Sequence, residues 1–274
     1  MGLRSWLKRQ MGQSGPRIPV VRLHGVIAAE QRPGRLNIET VGPLLKRAFA
    51  IKPAPAVAII VNSPGGSAVQ SRLISKRIRD LANEHGKKVL VFVEDAAASG
   101  GYFIATAGDE IIADPSSIVG SVGVIYAGFG FVEAIDKLGI DRRVHTSGRN
   151  KSTLDPFLPE KPEDVERIKA MEAEVHQVFI DWVKARRGSR LKASDDTLFT
   201  GEFWSGLKGL ELGLIDGLGD LHEELRSRYG DKVELVDITP KRGLFTLPRL
   251  GLGMLAGDLA AQVEDRAAWS RLGL

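Results

Sequence analysis

The 274-residue chain contains no cysteine. Disulfide bridges, thiol nucleophiles and cysteine-ligated metal sites are therefore excluded, and a reducing compartment fits. Aromatic residues make up only 6%. Histidine is scarce as well: His24, His85, His145, His176 and His222 are all there are. No stretch reaches the about 18 to 20 uninterrupted apolar residues of a membrane-spanning helix. The nearest, Ile118 to Val132, is shorter, carries four glycines, and reads as a buried strand leading into a helix. The first residues, MGLRSWLKRQMGQSGPRIPVV, lack the apolar core of a secretory signal. No acidic residue precedes Glu30, whereas Arg4, Lys8, Arg9, Arg17 and Arg22 do. The net charge of +4 is small for this length and does not argue for nucleic acid. The expectation is a soluble cytoplasmic protein that binds no nucleic acid. Its basic, Trp6-bearing start is suited to peripheral contact with an anionic membrane surface at the inner face.

What the chain does have is glycine, 31 residues, and a hydrophobic fraction of 43%. Such a composition suits an α/β protein with many tight strand–helix joints. Pro19 to Ala29 reads as a strand, and Asn37 to Ala50 as a helix. The continuous apolar run Ala56 to Val61 predicts a fully buried parallel strand, followed by a helix over Ser67 to Glu84. Lys87 to Asp95 repeats the strand signal, and a helix to about Ala107 should follow. Glu110 to Pro115 and Arg142 to Gly148 read as further strands, Phe131 to Ile140 as a short helix. Pro162 to Arg187 is a long amphipathic helix with Val165, Ile168, Met171, Val175, Val178, Phe179, Trp182 and Val183 at three- and four-residue steps. Lys232 to Thr239 reads as a late strand. Strands alternating with helices imply βαβ units and a mainly parallel sheet. The expected division is a flexible basic arm over 1–16, one catalytic domain over 17–239, and a C-terminal extension over 240–274, helical from about Met254.

Two glycine-containing turns carry the chemistry. NSPGG (Asn62 to Gly66) and SGG (Ser99 to Gly101) each end a buried strand and open a helix. In parallel sheets, ligand sites gather at the carboxyl ends of strands. Glycine lets backbone come close to a substrate, and two such turns side by side can aim two N–H groups at one oxygen, as an oxyanion hole requires. Ser99 would stand beside that hole. Each turn taken alone also reads as an ordinary tight joint. A nucleophilic serine needs a base. No histidine has a local carboxylate motif; His24 and His145, in predicted strands, are the candidates for a dispersed triad. Lysine is the other option, because burial favours its neutral amine. Lys151, in SGRNKSTLDPF, follows a predicted strand end, although a loop lysine is ordinarily just a solvated charge.

VNSPGGSA, EDAAASGGYFIATAGDEIIADPSSIVGSVGV and the GRNKS segment resemble, in that order, the signal peptide peptidase A/protease IV family. The resemblance covers roughly Pro19 to Asp237 and includes the GLID segment, Gly213 to Asp216. It implies a Ser/Lys-dyad peptidase on a Clp-protease/crotonase-like fold, a spiral of ββα units with a mainly parallel sheet. The nucleophile falls on Ser99 and the general base on Lys151, 52 residues later (151 − 99). The oxyanion donors fall on the backbone N–H groups of Gly66 and Gly100, and a serine supporting the lysine amine falls on Ser121. No cofactor or metal is implied. The implied substrates are peptides, signal-peptide remnants among them, and the implied assembly is a homo-oligomer with active sites at protomer interfaces. Many family members carry a transmembrane anchor that is not seen here, which leaves cytoplasmic peptides equally open as substrates. A crotonase-like acyl-CoA thioester enzyme and a non-catalytic scaffold of the same fold are the competing readings.

Overall fold

A computed structural model describes residues 15–32, 34–239 and 263–274. Most of the basic arm, the segment 240–262 and the predicted helix start at Met254 lie outside the described residues.

The main sheet has eight strands. Strand β1 (Arg17–His24) lies between β10 (Glu234–Asp237) and β4 (Ala56–Ser63). Strands β5 (Lys88–Ala98), β6 (Glu110–Ala113) and β9 (Gly217–Leu218) follow in that order. All these pairings are parallel. The apolar runs of β4 and β5 are buried on both faces, as the sequence pattern requires. A small two-stranded sheet pairs β2 (Val26–Ile27) with β3 (Arg35–Leu36). This is the expected mainly parallel α/β architecture.

One face of the sheet is roofed by helix α1 (Ile38–Ala50), α2 (Ala68–His85), the short α3 (Gly100–Ala105) and the end of the long helix α5 (Pro162–Arg187). The core there runs from Leu45 and Phe49 through Ile59, Ile74 and Val91 to Phe103 and Val183. On the opposite face α8 (Leu221–Tyr229) lays Leu221 and Leu225 over Ile18, Ala58, Leu90 and Ile112.

Strand β5 is longer than predicted, and its extension positions the site. Val61 pairs with Val93 and Ser63 with Ala97, so Glu94, Asp95 and Ala96 face Asn62 alone. The Asn62 side chain fills the irregularity, accepting from Ala96 N–H at 3.2 Å and donating to Asp95 at 2.6 Å. A bulge of this kind redirects a strand. Past it, Ala97 keeps its register with Ser63 of β4, and Ala96–Ala98 pair with β7 (Ile118–Gly120), which pairs antiparallel with β8 (Phe203–Ser205).

Two expectations need correction. Arg142 to Gly148 forms no strand; it runs irregularly and almost wholly exposed, with no partner strand to complete it. The run from Ile118 is a strand only to Gly120, and residues 124–131 beyond it are exposed rather than buried. The long helix has the predicted bounds, but only its C-terminal half packs on the core. Phe179 and Val183 are buried, whereas Met171 and Val178 remain exposed.

Candidate active site

Ser99 ends the redirected part of β5 and caps α3, with φ 50° and ψ −120°. Positive φ is costly for a residue with a side chain and persists only where surroundings enforce it. Here the Ser99 N–H donates to Gly120 O at 2.8 Å, and its carbonyl accepts from Phe103 N–H at 2.9 Å. Among the described residues, three non-glycines have positive φ: Ser99, Ser121 and Leu154. All three lie in the segments that carry the sequence motifs. Ser121, at φ 55°, follows the Gly120 that pairs with Ala98, so the two strained serines stand at the ends of neighbouring strands. Neither hydroxyl is engaged in a hydrogen bond among the described residues.

The two glycine turns meet. A side chain on Gly65 would collide with Ala98 O, Gly100 N and the Ser99 side chain, all at 2.8 Å. A Cβ on Gly100 would stand 3.4 Å from Gly66 N and 2.4 Å from Ser71 Oγ. At Gly66, φ is +136° and a Cβ would fall 2.0 Å from Ile27 O. Strand β2 holds this turn from both sides, through Ile27 N–H to Gly65 O and Ser67 N–H to Ile27 O, each 2.8 Å. The N–H groups of Gly66 and Gly100 themselves have no acceptor among the described residues. Close, fixed and unpaired, they have the properties of an oxyanion hole.

The short helix α3 is anchored behind the serine. All six of its residues are buried. Tyr102 donates its hydroxyl to Leu214 O at 2.7 Å, and burial pushes its titration well above the ordinary tyrosine value. Phe103 stacks on Trp182 at 5.4 Å. Trp182 Nε1 donates to Thr106 Oγ1 at 2.9 Å, and Arg186 donates to Thr106 O at 3.0 Å and Gly108 O at 2.9 Å. Arg79 reaches Ala107 O at 3.1 Å. Cationic donors thus satisfy the carbonyls of Thr106 to Gly108, just past the end of α3, and their charge complements its dipole.

Lys151 has different surroundings. It is exposed, and its side chain makes no hydrogen bond or ion pair among the described residues. Its loop is ordered nonetheless. Lys151 N–H donates to Gly148 O at 3.2 Å, Leu154 N–H to Asp164 at 3.4 Å, and Arg142 bonds Asp155 at 2.8 Å. The structure brings Ser99, Ser121, Gly66 and Gly100 together; among the described residues, no hydrogen bond or ion pair joins Lys151 to them. Of the histidines, His24 pairs with Glu94 at 2.7 Å and His145 is exposed. His176 Nε2 lies 3.0 Å from Val122 O, next to Ser121, so that nitrogen is the donor and is committed to the backbone. The residues missed at the sequence level are Asn62 and Asp95, which shape the bend before Ser99. An asparagine closing an apolar strand was the only visible signal.

Ser99 thus sits on a strained strand-to-helix turn, beside two N–H groups unpaired among the described residues, at the carboxyl end of a strand in a mainly parallel α/β sheet, where ligand sites gather. The family follows from comparison with known sequences: the model of peptidase family S49 matches residues 82–233. The chain belongs to peptidase family S49, the signal peptide peptidase A/protease IV family. It is 34% identical over 212 residues to "Protease 4" of Haemophilus influenzae, covering 76% of this chain and 33% of that protein. It is 56% identical over 273 residues to "Na(+)/H(+) antiporter NhaA" of Brucella abortus, covering 94% of this chain and 37% of that protein. The chain therefore spans about a third of the length of these two relatives. Among solved structures, a mutant of the 1510-N membrane-bound stomatin-specific protease aligns with a TM-score of 0.53 at 17% identity, over 83% of this chain and 100% of that one. At that identity the likeness concerns the fold, which is of the Clp-protease type.

Proposed function

We propose that the chain is a serine endopeptidase that cleaves peptides with Ser99 as nucleophile and Lys151 as general base. The observation that carries this reading is the pair of strained serines beside the unpaired Gly66 and Gly100 N–H groups. In the proposed cycle, neutral Lys151 takes the Ser99 proton as Oγ attacks the peptide carbonyl. The two N–H groups hold the oxyanion. Lys151 then protonates the leaving amine, and water hydrolyses the acyl-enzyme. Ser121 supports the lysine amine. An acyl-CoA enzyme would use the same N–H pair but has no use for a strained serine.

The base needs a covering that its own chain does not supply, and we place that covering in a second copy of the protein. Residues 124–140, which lead into the Lys151 segment, expose Ile125, Tyr126, Phe129, Leu138 and Ile140. Phe129 is 82% and Leu138 73% exposed, an apolar surface of the kind that marks association. A neighbouring copy lying over this arm would desolvate Lys151 and bring it to a serine across the interface. We read the part shared with the Brucella protein as a peptidase portion of that longer chain, working on peptides at or near a membrane.

The test is a fluorophosphonate probe applied to the assembled oligomer, with the adduct located by mass spectrometry. Labelling at Ser99, weakened in Lys151→Met, together with cleavage of a fluorescent peptide, is the expected result. No adduct at Ser99 in a verified oligomer that also leaves the peptide intact overturns the reading.

A further inference from the structure

The stretch from 124 to 151 is almost wholly exposed. Two carboxylates that follow it are not. The Asp155 side chain is only 9% exposed and Asp164 only 7%. A carboxylate taken out of water keeps its charge only where donors replace the water. Asp155 accepts from Arg142 at 2.8 Å and from Phe157 N–H at 3.0 Å. Asp164 accepts from Arg167 at 2.7 Å and from Leu154 N–H at 3.4 Å. Both carboxyls titrate below the ordinary aspartate value, Asp155 through the Arg142 hydrogen bond and Asp164 through that of Arg167.

These donors close the Lys151 loop on both sides. Thr153 donates its hydroxyl to Asn150 O at 3.0 Å, across Lys151, and Arg167 reaches the same hydroxyl at 3.4 Å. Leu154 has φ 47°. A leucine persists there only where its surroundings enforce it, and its N–H is fixed on Asp164.

The same carboxylates join the loop to its neighbours. Arg142, bonded to Asp155, lies 5.8 Å over the Phe157 ring, and Phe157 stacks on Phe131 at 5.6 Å. Phe131 N–H donates to Pro156 O at 2.6 Å. The arm and the loop are thus one packed piece. Asp164 lies in the first turn of α5, and the other end of α5 holds α3 through Trp182 and Arg186. About 27 Å of helix separates Asp164 from Trp182, so a single rigid element ties the Lys151 loop to the helix that Ser99 caps.

We propose that Asp155 and Asp164 are positioning residues for Lys151, fastening its loop to Arg142 and to the first turn of α5 so that the lysine is set in place before a second copy covers it. Both act through the loop and not on the substrate. The partner then supplies desolvation alone, because the backbone freedom of the loop is already lost on folding. The positioning role rests on the peptidase reading above; the fastening of the loop does not.

Amide exchange in the full chain reads the fastening, and peptide turnover reads the positioning. Exchange at Leu154 in Asp164→Ala, and at Phe157 in Asp155→Ala, should speed up about ten-fold or more, with Lys151 following in both. In both variants kcat for a fluorescent peptide should fall about ten-fold, while KM and the assembly seen by analytical ultracentrifugation stay as in wild type. The Arg142 side chain is half-exposed, so replacing it leaves the core intact. Arg142→Met should reproduce the loss seen in Asp155→Ala, and Arg142→Lys, which keeps a cation beside Asp155, should restore most of the turnover. Unchanged exchange at Lys151 and Leu154 in the alanine variants overturns the proposal, as does an unchanged kcat despite faster exchange in an intact oligomer. If the wild-type chain neither reacts with the fluorophosphonate at Ser99 nor cleaves the peptide, the peptidase reading fails, and exchange still decides whether the two carboxylates fasten the loop.

Discussion

Ser99 stands on a helix whose six residues are all buried and whose far end is held by Trp182, Arg79 and Arg186. Lys151 stands on an exposed loop that follows an arm of exposed apolar side chains. In the proposed site, the half with Ser99 and the Gly66 and Gly100 N–H groups is held within the core of one chain. The half with Lys151 is ordered only locally, through Gly148, Asp155 and Asp164. The difference teaches where each function gets its environment. An oxyanion hole needs rigid backbone, which a single core can supply. A lysine base needs desolvation, which in the proposed assembly a neighbouring copy would supply.

The largest expected effects come from removing either half. Ser99→Ala should lower peptide hydrolysis at least about 1,000-fold with an unchanged melting temperature, because the group removed does chemistry and not packing. Lys151→Met should be comparably inactive. Mixing the two inactive proteins sharpens the comparison. If each site takes serine from one chain and lysine from another, co-assembled mixtures should regain up to about a quarter of wild-type activity. Sites built within one chain would regain none. The measurement is turnover of a fluorescent peptide against mixing ratio.

Next in size are changes that disturb the rigid half alone. Gly66→Ala places a Cβ against Ile27 O and demands a positive φ from alanine. Loss of about 100-fold in kcat is expected, with little change in KM. A near-normal kcat would show that this N–H is not an oxyanion donor. Arg186→Gln should have a smaller effect. It removes a charged donor from the carbonyls just past α3, and about ten-fold slower labelling of Ser99, largely restored in Arg186→Lys, is the expected outcome.

The two halves also differed in how far they could be read from sequence. The Ser99 turn was legible because its determinants are local: an apolar strand, a serine, two glycines and a helix. The NSPGG turn was legible for the same reason. What brings the turns together was not, because the mismatch that sets Glu94, Asp95 and Ala96 against Asn62 is a property of strand pairing. The strand expected over Arg142 to Gly148 failed on similar grounds, since β-rich residues form a strand only beside a partner. Lys151 was found by resemblance, and composition alone would have left it a solvated charge. The long helix was legible in extent, but which half of its apolar face meets the core was not.

A change on the exposed half should leave the fold untouched. The double substitution Ile125→Ser with Phe129→Ser removes two exposed apolar side chains from the arm. The oligomer should dissociate at higher protein concentration than wild type, with the melting temperature of the isolated chain within about 2 °C, because neither side chain is in the core. An unchanged assembly by analytical ultracentrifugation would break the proposed link between the arm and the covering of Lys151.

The smallest effect tests the GLID segment, which supports the rigid half from behind. Burial raises the Asp216 carboxyl, but the hydrogen bond and charge of Arg187, the Ile111 N–H and Arg190 outweigh it, so its titration lies below the ordinary value. A carboxyl depressed in the folded state stabilises fully above its unfolded pKa of about 3.9, and that contribution is lost as pH falls through the folded value. Wild-type stability should therefore decline below about pH 4 more steeply than that of Asp216→Asn, which lacks the titrating group. Chemical denaturation at stepped pH measures it. Equal slopes would mean that the Arg187–Asp216 pair, 2.6 Å apart and almost buried on the arginine side, contributes no net charge coupling to the folded state, and that Tyr102 and Leu214 hold α3 without it.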